Sequence, residues 1–190
     1  MRHTIIKCGL IGGFILFIWG AVSWSVLPWQ KGQMNSFSSE KEVRSAISDN
    51  VSGSGLYILP NLQKYAYNPD ELAAAKDRIS EGPYIVAAVS ANGRNPSMAG
   101  SAVASLILKI VSACIVTWLL LRTVHPLDYH KSVKFITVIG ILIALSANLP
   151  YVIWFGFPGG FAMGSIIEIV FGWFFAALAI ARIIPHKHKA

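Results

Sequence analysis

Apolar residues fall in long blocks along this chain rather than alternating with polar ones. Four blocks stand out, over about 8–27, 101–121, 135–155 and 163–181. Each is close to the ~20 residues that, at ~1.5 Å per residue, cross a ~30 Å hydrocarbon core. Lipid offers no partner to a bare backbone N–H or C=O, so each block is predicted to be a transmembrane helix.

The stretch between the first two blocks has another pattern. Ser39-Glu40-Lys41-Glu42 fits a capping box, with Ser39 covering an exposed N–H and Glu42 reaching back, and predicts a helix over about 40–48. Asn50 and the Gly53/Gly55 pair end it. Gly-Leu-Tyr-Ile-Leu at 55–59 reads as a short strand stopped by Pro60. Asn68-Pro69, followed by Asp70 and Glu71, is a helix start, predicting a helix over 69–80 closed by Gly82-Pro83. A second strand is expected over 84–90 and a turn over 91–94. The predicted fold is therefore a membrane all-α protein: a four-helix transmembrane bundle with a small α+β extracytoplasmic domain inserted between spans 1 and 2. Residues 1–28 hold the N-terminus and span 1, residues 29–100 the inserted domain, and residues 101–190 spans 2–4. So small a domain buries little core of its own, so it is expected to pack on the bundle or on a partner.

Composition agrees with a membrane protein. The chain is 54% hydrophobic and 13% charged, with mean hydropathy +0.56, against about 45–50% and about 25% for soluble domains. Its net charge of +7 suggests a polyanionic partner until the charges are located. Arg2, Lys7, Arg122, Lys131, Lys134, Arg182, Lys187 and Lys189, against the single acid Asp128, flank the spans on one side and carry the whole excess. Residues 29–100 hold 7 basic and 7 acidic residues and are neutral. By the positive-inside rule, loop 122–134 and both termini are expected in the cytoplasm and residues 29–100 outside it. A bacterial inner membrane with a periplasmic domain is the expected setting. Nucleic-acid binding is disfavoured, because no basic patch is interleaved with stacking aromatics.

The first block also has the shape of a secretory signal, with a basic start and Ala21-Val22-Ser23 resembling a cleavage site. The apolar run continues past that site and tryptophans flank it, which favours an uncleaved anchor. Trp24, Trp29, Tyr151 and Trp154 fall near the predicted outer interface, where amphipathic rings form a belt at headgroup depth.

Few residues can carry chemistry. Cys8 and Cys114 form no C-x-x-C pair, which disfavours a thiol–disulfide oxidoreductase. His3, His125, His130, His186 and His188 all lie outside the spans, which disfavours a haem held within the membrane. The His186-Lys187-His188 run reads as a solvated basic tail rather than a metal site. Zinc-protease, phosphate-loop and nucleophile-elbow motifs are missing. No metal and no cofactor is expected. Four spans with a large first outer loop resemble the claudins in topology alone. Their tryptophan and cysteine pattern is missing from the loop, so no function is carried over.

The informative pair is Lys109 and Glu168, because an ionisable residue inside a span costs roughly 2.5–3.5 kcal/mol at mid-helix on insertion scales. They lie ~12 Å and ~9 Å inward from the outer ends of spans 2 and 4, within about one turn of each other, and opposite signs suggest an interhelical salt bridge. Small and polar residues share a face on every span: Gly9, Gly13, Gly20 and Ser23; Ser105, Lys109, Ser112 and Ala113; Thr137, Gly140, Ala144, Asn148 and Tyr151; Gly164, Ser165, Glu168, Gly172 and Ala176. Such faces let membrane helices approach closely. An intramembrane polar cluster of Lys109, Glu168, Asn148, Tyr151, Ser105 and Ser112 is expected, either fixing helix register or lining a ligand site.

One Lys and one Glu do not specify a reaction, so an enzyme is disfavoured. The leading expectation is a non-enzymatic accessory or interaction protein that presents its periplasmic domain to a protein partner or a second copy, with the lipid bilayer as its medium. The alternatives are an oligomeric transporter or channel component using Lys109 and Glu168, and a membrane enzyme acting on a lipid at the outer leaflet.

Overall fold

The computed structural model describes residues 1–184. The tail residues His186, Lys187, His188 and Lys189 lie outside the described residues. The elements in order are α1 (Arg2–Val26), α2 (Pro28–Lys31), α3 (Glu40–Asn50), β1 (Gly55–Leu59), a 3-10 turn (Leu62–Tyr65), α4 (Pro69–Glu81), β2 (Ile85–Val89), α5 (Ala99–Leu121), α6 (Tyr129–Phe155) and α7 (Gly159–Ile183). Four of them, α1, α5, α6 and α7, are long and apolar enough to cross a membrane. The chain is thus a mostly helical, multi-pass integral membrane protein with one small sheet.

It divides into two compact units. Residues 1–35 and 97–190 make up the first, and residues 36–96 the second. The boundary expected at residue 29 falls at Ser36, because α2 and the residues after it pack on α7.

In the helical unit, a polar cap rather than the apolar block sets the start of α6. α6 begins at Tyr129, six residues before the apolar block, because the Asp128 carboxylate accepts the Lys131 backbone N–H at 2.9 Å. It ends on Gly156, whose φ of 66° is a left-handed cap and whose N–H donates to the Tyr151 carbonyl. α1 packs on α5 and α7, and α6 packs on α7, whereas α5 and α6 meet only sparsely. The small residues allow this. A β-carbon on Gly13 would lie 2.5 Å from Ile110 Cα, and one on Gly12 would lie 2.7 Å from Ile180 Cδ1. Gly9 faces Cys114 and Gly140 faces Trp173 just as tightly. Around these contacts Leu16, Val116, Ile136, Trp173 and Ile180 form the buried core.

The second unit pairs β1 with β2 antiparallel, Tyr57 opposite Ala87. The predicted helix starts are in place. Ser39 Oγ accepts the Glu42 N–H at 3.5 Å, and Asn68 Oδ1 accepts the N–H groups of Asp70 and Glu71 at 3.2 and 3.4 Å. The return bond expected from the Ser39 N–H to the Glu42 side chain does not form. Of the apolar residues in this unit, only Pro60 and Ala75 are fully buried, while Leu56, Leu59 and Ile85 are exposed. Two strands and two short helices enclose too little volume to bury more.

Candidate functional site

Lys109 sits near the middle of α5, and Glu168 lies on α7 three turns from its start. The two side chains converge over α1 at Gly20. A β-carbon there would lie 3.3 Å from Glu168 Oε1 and 3.4 Å from Lys109 Nζ. A larger residue there would press on both groups. The charges face each other without closing to 4 Å; the ion pair within that distance among the described residues is Lys131–Asp128 at 3.3 Å.

Glu168 is held by two groups from outside its own helix. Gln30 Nε2 donates to Glu168 Oε2 at 2.6 Å, and the Trp19 indole N–H donates to the Glu168 backbone carbonyl at 2.8 Å. A bond to an ionised carboxylate is short and strong. Gln30 reaches Glu168 because Leu27 is extended and Pro28 opens the short helix α2, turning the chain back over the first turns of α7. Gly164 makes room there: a β-carbon on it would lie 3.2 Å from the Trp29 carbonyl oxygen. Gln30 is 1% exposed, and its carbonyl oxygen is buried with no hydrogen-bond partner. The Trp19 ring meets Phe175 edge-on with centroids 4.9 Å apart.

Lys109, Glu168, Ser105 and Ser112 line one cavity of about 260 Å³, walled by Leu16, Trp19, Leu108, Ile143, Ile169 and Trp173. Ser112 returns its hydroxyl proton to the Leu108 carbonyl at 2.9 Å, which leaves the oxygen free as an acceptor. Its lining comes chiefly from α1, α5 and α7, with Ile143 from α6.

Asn148 and Tyr151 are not part of it. They line a separate hollow of about 200 Å³ with Phe157, Phe161 and Ala162, and the Asn148 amide donates to the Ala144 carbonyl of its own helix at 2.8 Å. The spacing puts Thr137, Gly140, Ala144 and Asn148 on one face, but its C-terminal end lies beside Phe157 and the first turn of α7 rather than α5. Trp24 and Trp154 are exposed on their helices, with Trp24 edge-on to Phe161. Trp29 folds back, its indole donating to the buried Ser23 hydroxyl at 2.9 Å.

Gln30, Trp19 and Gly20 are the site residues that spacing along the spans does not reveal. Leu27-Pro28 is the signal for Gln30, since proline fits the first turn of a new helix. The sequence places Gly20 on the small face of its span, but not beside these charges, and nothing local marks Trp19. Among the described residues no three His, Cys, Asp or Glu side chains come together as a metal site would need.

No family model matches the chain, and comparison with curated proteins and with solved structures gives no match.

Proposed function

We propose that the chain is a non-enzymatic accessory protein of a bacterial inner membrane, which presents residues 36–96 on the periplasmic side to a protein partner. The observation that carries this reading is the state of that unit. It is compact by itself, yet it fully buries only Ala75 and Pro60, and Leu56, Leu59 and Ile85 stay exposed. Apolar surface of this kind on a small unit is more stable when a partner covers it. The helices anchor it, and the basic residues at 2–7 and 122–134 hold the anchor with loop 122–134 and the termini in the cytoplasm. Crosslinked pull-down from membranes, with the full chain and with residues 36–96 deleted, tests the reading. Partners should disappear on deletion; an unchanged set of partners sinks it.

A second reading takes the helices as the functional part, within an oligomeric assembly that binds or moves a ligand. The cavity between Lys109 and Glu168 favours it, because an ionisable pair left open inside a membrane segment is costly unless something uses it.

A further inference from the structure

We infer that the cavity lined by Lys109 and Glu168 is a lateral binding site for a membrane-dissolved amphiphile with an uncharged, hydroxyl-bearing head. This rests on the second reading above, that Lys109 and Glu168 line a ligand site, and adds the class of ligand and its route of entry.

The route follows from packing. The cavity takes its walls from all four long helices, with Ile143 alone from α6, and α5 and α6 meet only sparsely beside it. Leu108 lines the cavity yet is 66% exposed, so the opening lies on the outer, lipid-facing surface of the helices. On another side, α2 lies over the first turns of α7, with Gln30 fastened to Glu168. A ligand dissolved in the bilayer reaches the cavity without crossing that segment. The apolar walls, Leu16, Ile143, Ile169 and Trp173, suit the start of a hydrocarbon chain.

The head is set by charge and by hydrogen-bond supply. Lys109 brings an ammonium with three N–H donors, and no hydrogen bond or ion pair within 4 Å satisfies it. Glu168 gives one oxygen to Gln30, and its other oxygen faces the same space as Lys109. The site therefore offers a donor on one side, an acceptor on the other, and no net charge. A carboxylate or phosphate would leave one charge uncompensated in a low-dielectric surrounding. A hydroxyl both accepts and donates, so a head with two hydroxyls can accept from Lys109 and donate to Glu168 at once. The volume, about 260 Å³, suits a head of glycerol size with the first carbons of its chain.

The test uses the full chain in phosphatidylcholine nanodiscs with two photoreactive probes: a monoacylglycerol and a fatty acid, each with a diazirine in its chain. Adducts are mapped by peptide mass spectrometry, with and without excess unlabelled competitor. The monoacylglycerol should label the segments around Leu108 and Ile143, and unlabelled monoacylglycerol should reduce that labelling at least fivefold. The fatty acid, ionised at pH 8, should give no competable label there. Glu168→Gln keeps the size of the side chain and leaves Lys109 as the one charge, so the preference should invert toward the fatty acid. A role limited to holding helices together predicts no inversion. Label spread evenly over the lipid-facing helices, unaffected by competitor, overturns both the site and its ligand. Competable fatty-acid label at Leu108 and Ile143 in the unaltered chain overturns the ligand class and leaves the site standing. Competition by free glycerol overturns entry from the bilayer.

Discussion

At the scale of single residues, the chemistry of this protein is concentrated in Lys109, Glu168 and Gln30. Two of the three were legible in the sequence, because an ionisable residue in an apolar run is expensive and so stands out. Equal depth suggested a salt bridge between them, and the two charges face one cavity without closing to 4 Å. Gln30 was not legible, since its role depends on the chain reversing at Pro28, a tertiary event that no period along a span records. The three differ in what their loss should do. Glu168→Leu removes the acceptor of Gln30 Nε2 and leaves Lys109 facing no counter-charge, and should cost roughly 3 kcal/mol. Lys109→Leu leaves Glu168 its bond to Gln30 and should cost less. The double substitution removes both charges and should recover most of the loss, short of about 1–3 kcal/mol for the stranded Gln30 amide. Adding Gln30→Leu should recover that remainder. Thermal unfolding of the four variants in detergent checks the order; purely additive losses would mean that the charges are not coupled.

At the scale of elements, apolar blocks predict that a helix exists, and caps predict where it stops. The blocks at 101–121 and 135–155 end where α5 and α6 end, but α6 starts six residues early on the Asp128 cap and α7 starts early on Gly159. A hydropathy count misses such turns because Lys131 and Lys134 are polar, although they are helical. The cap makes the α6 start sensitive to acid. The Lys131 backbone N–H, followed by the Lys131 side chain, holds the Asp128 carboxyl below the ordinary carboxylate range. Its contribution to the helix is therefore present above that range and lost as pH falls through the lowered value. Amide exchange at Lys131 should speed up on acidification past that point, and Asp128→Ala should make it fast at every pH. Packing between elements rests on missing β-carbons. Gly13→Ala would place a methyl 2.5 Å from Ile110 Cα, a backbone atom that cannot turn aside. It should cost about 1–3 kcal/mol, as overpacking does. Gly100→Ala, with nothing within 4 Å, should cost far less in the same thermal assay. Equal losses at the two glycines would remove close α1–α5 approach as the reason for Gly13.

At the scale of the whole molecule, the net charge of +7 is unevenly placed along the chain. The excess lies in segments that flank the spans, the unit at 36–96 is close to neutral, and Lys109 and Glu168 cancel. Hydropathy made the four helices legible, and turn and cap residues outlined the small unit. The sparse contact between α5 and α6 was not legible, because all four spans carry a small or polar face and nothing in one face says which neighbour it meets. The charge pattern makes a sharp prediction about which side each segment occupies. Reporter fusions after Pro126 and at Ala190 should both give a cytoplasmic signal, and one after Asn92 a periplasmic signal. The basic residues act together, so moving the excess should move the chain: with Lys7, Lys131 and Lys134 replaced by Gln and three lysines added within 157–160, the fusion after Pro126 should turn periplasmic in a measurable fraction of molecules. A periplasmic signal at Pro126 or Ala190 in the unaltered chain would put the 36–96 unit in the cytoplasm and with it end the proposal of a periplasmic partner.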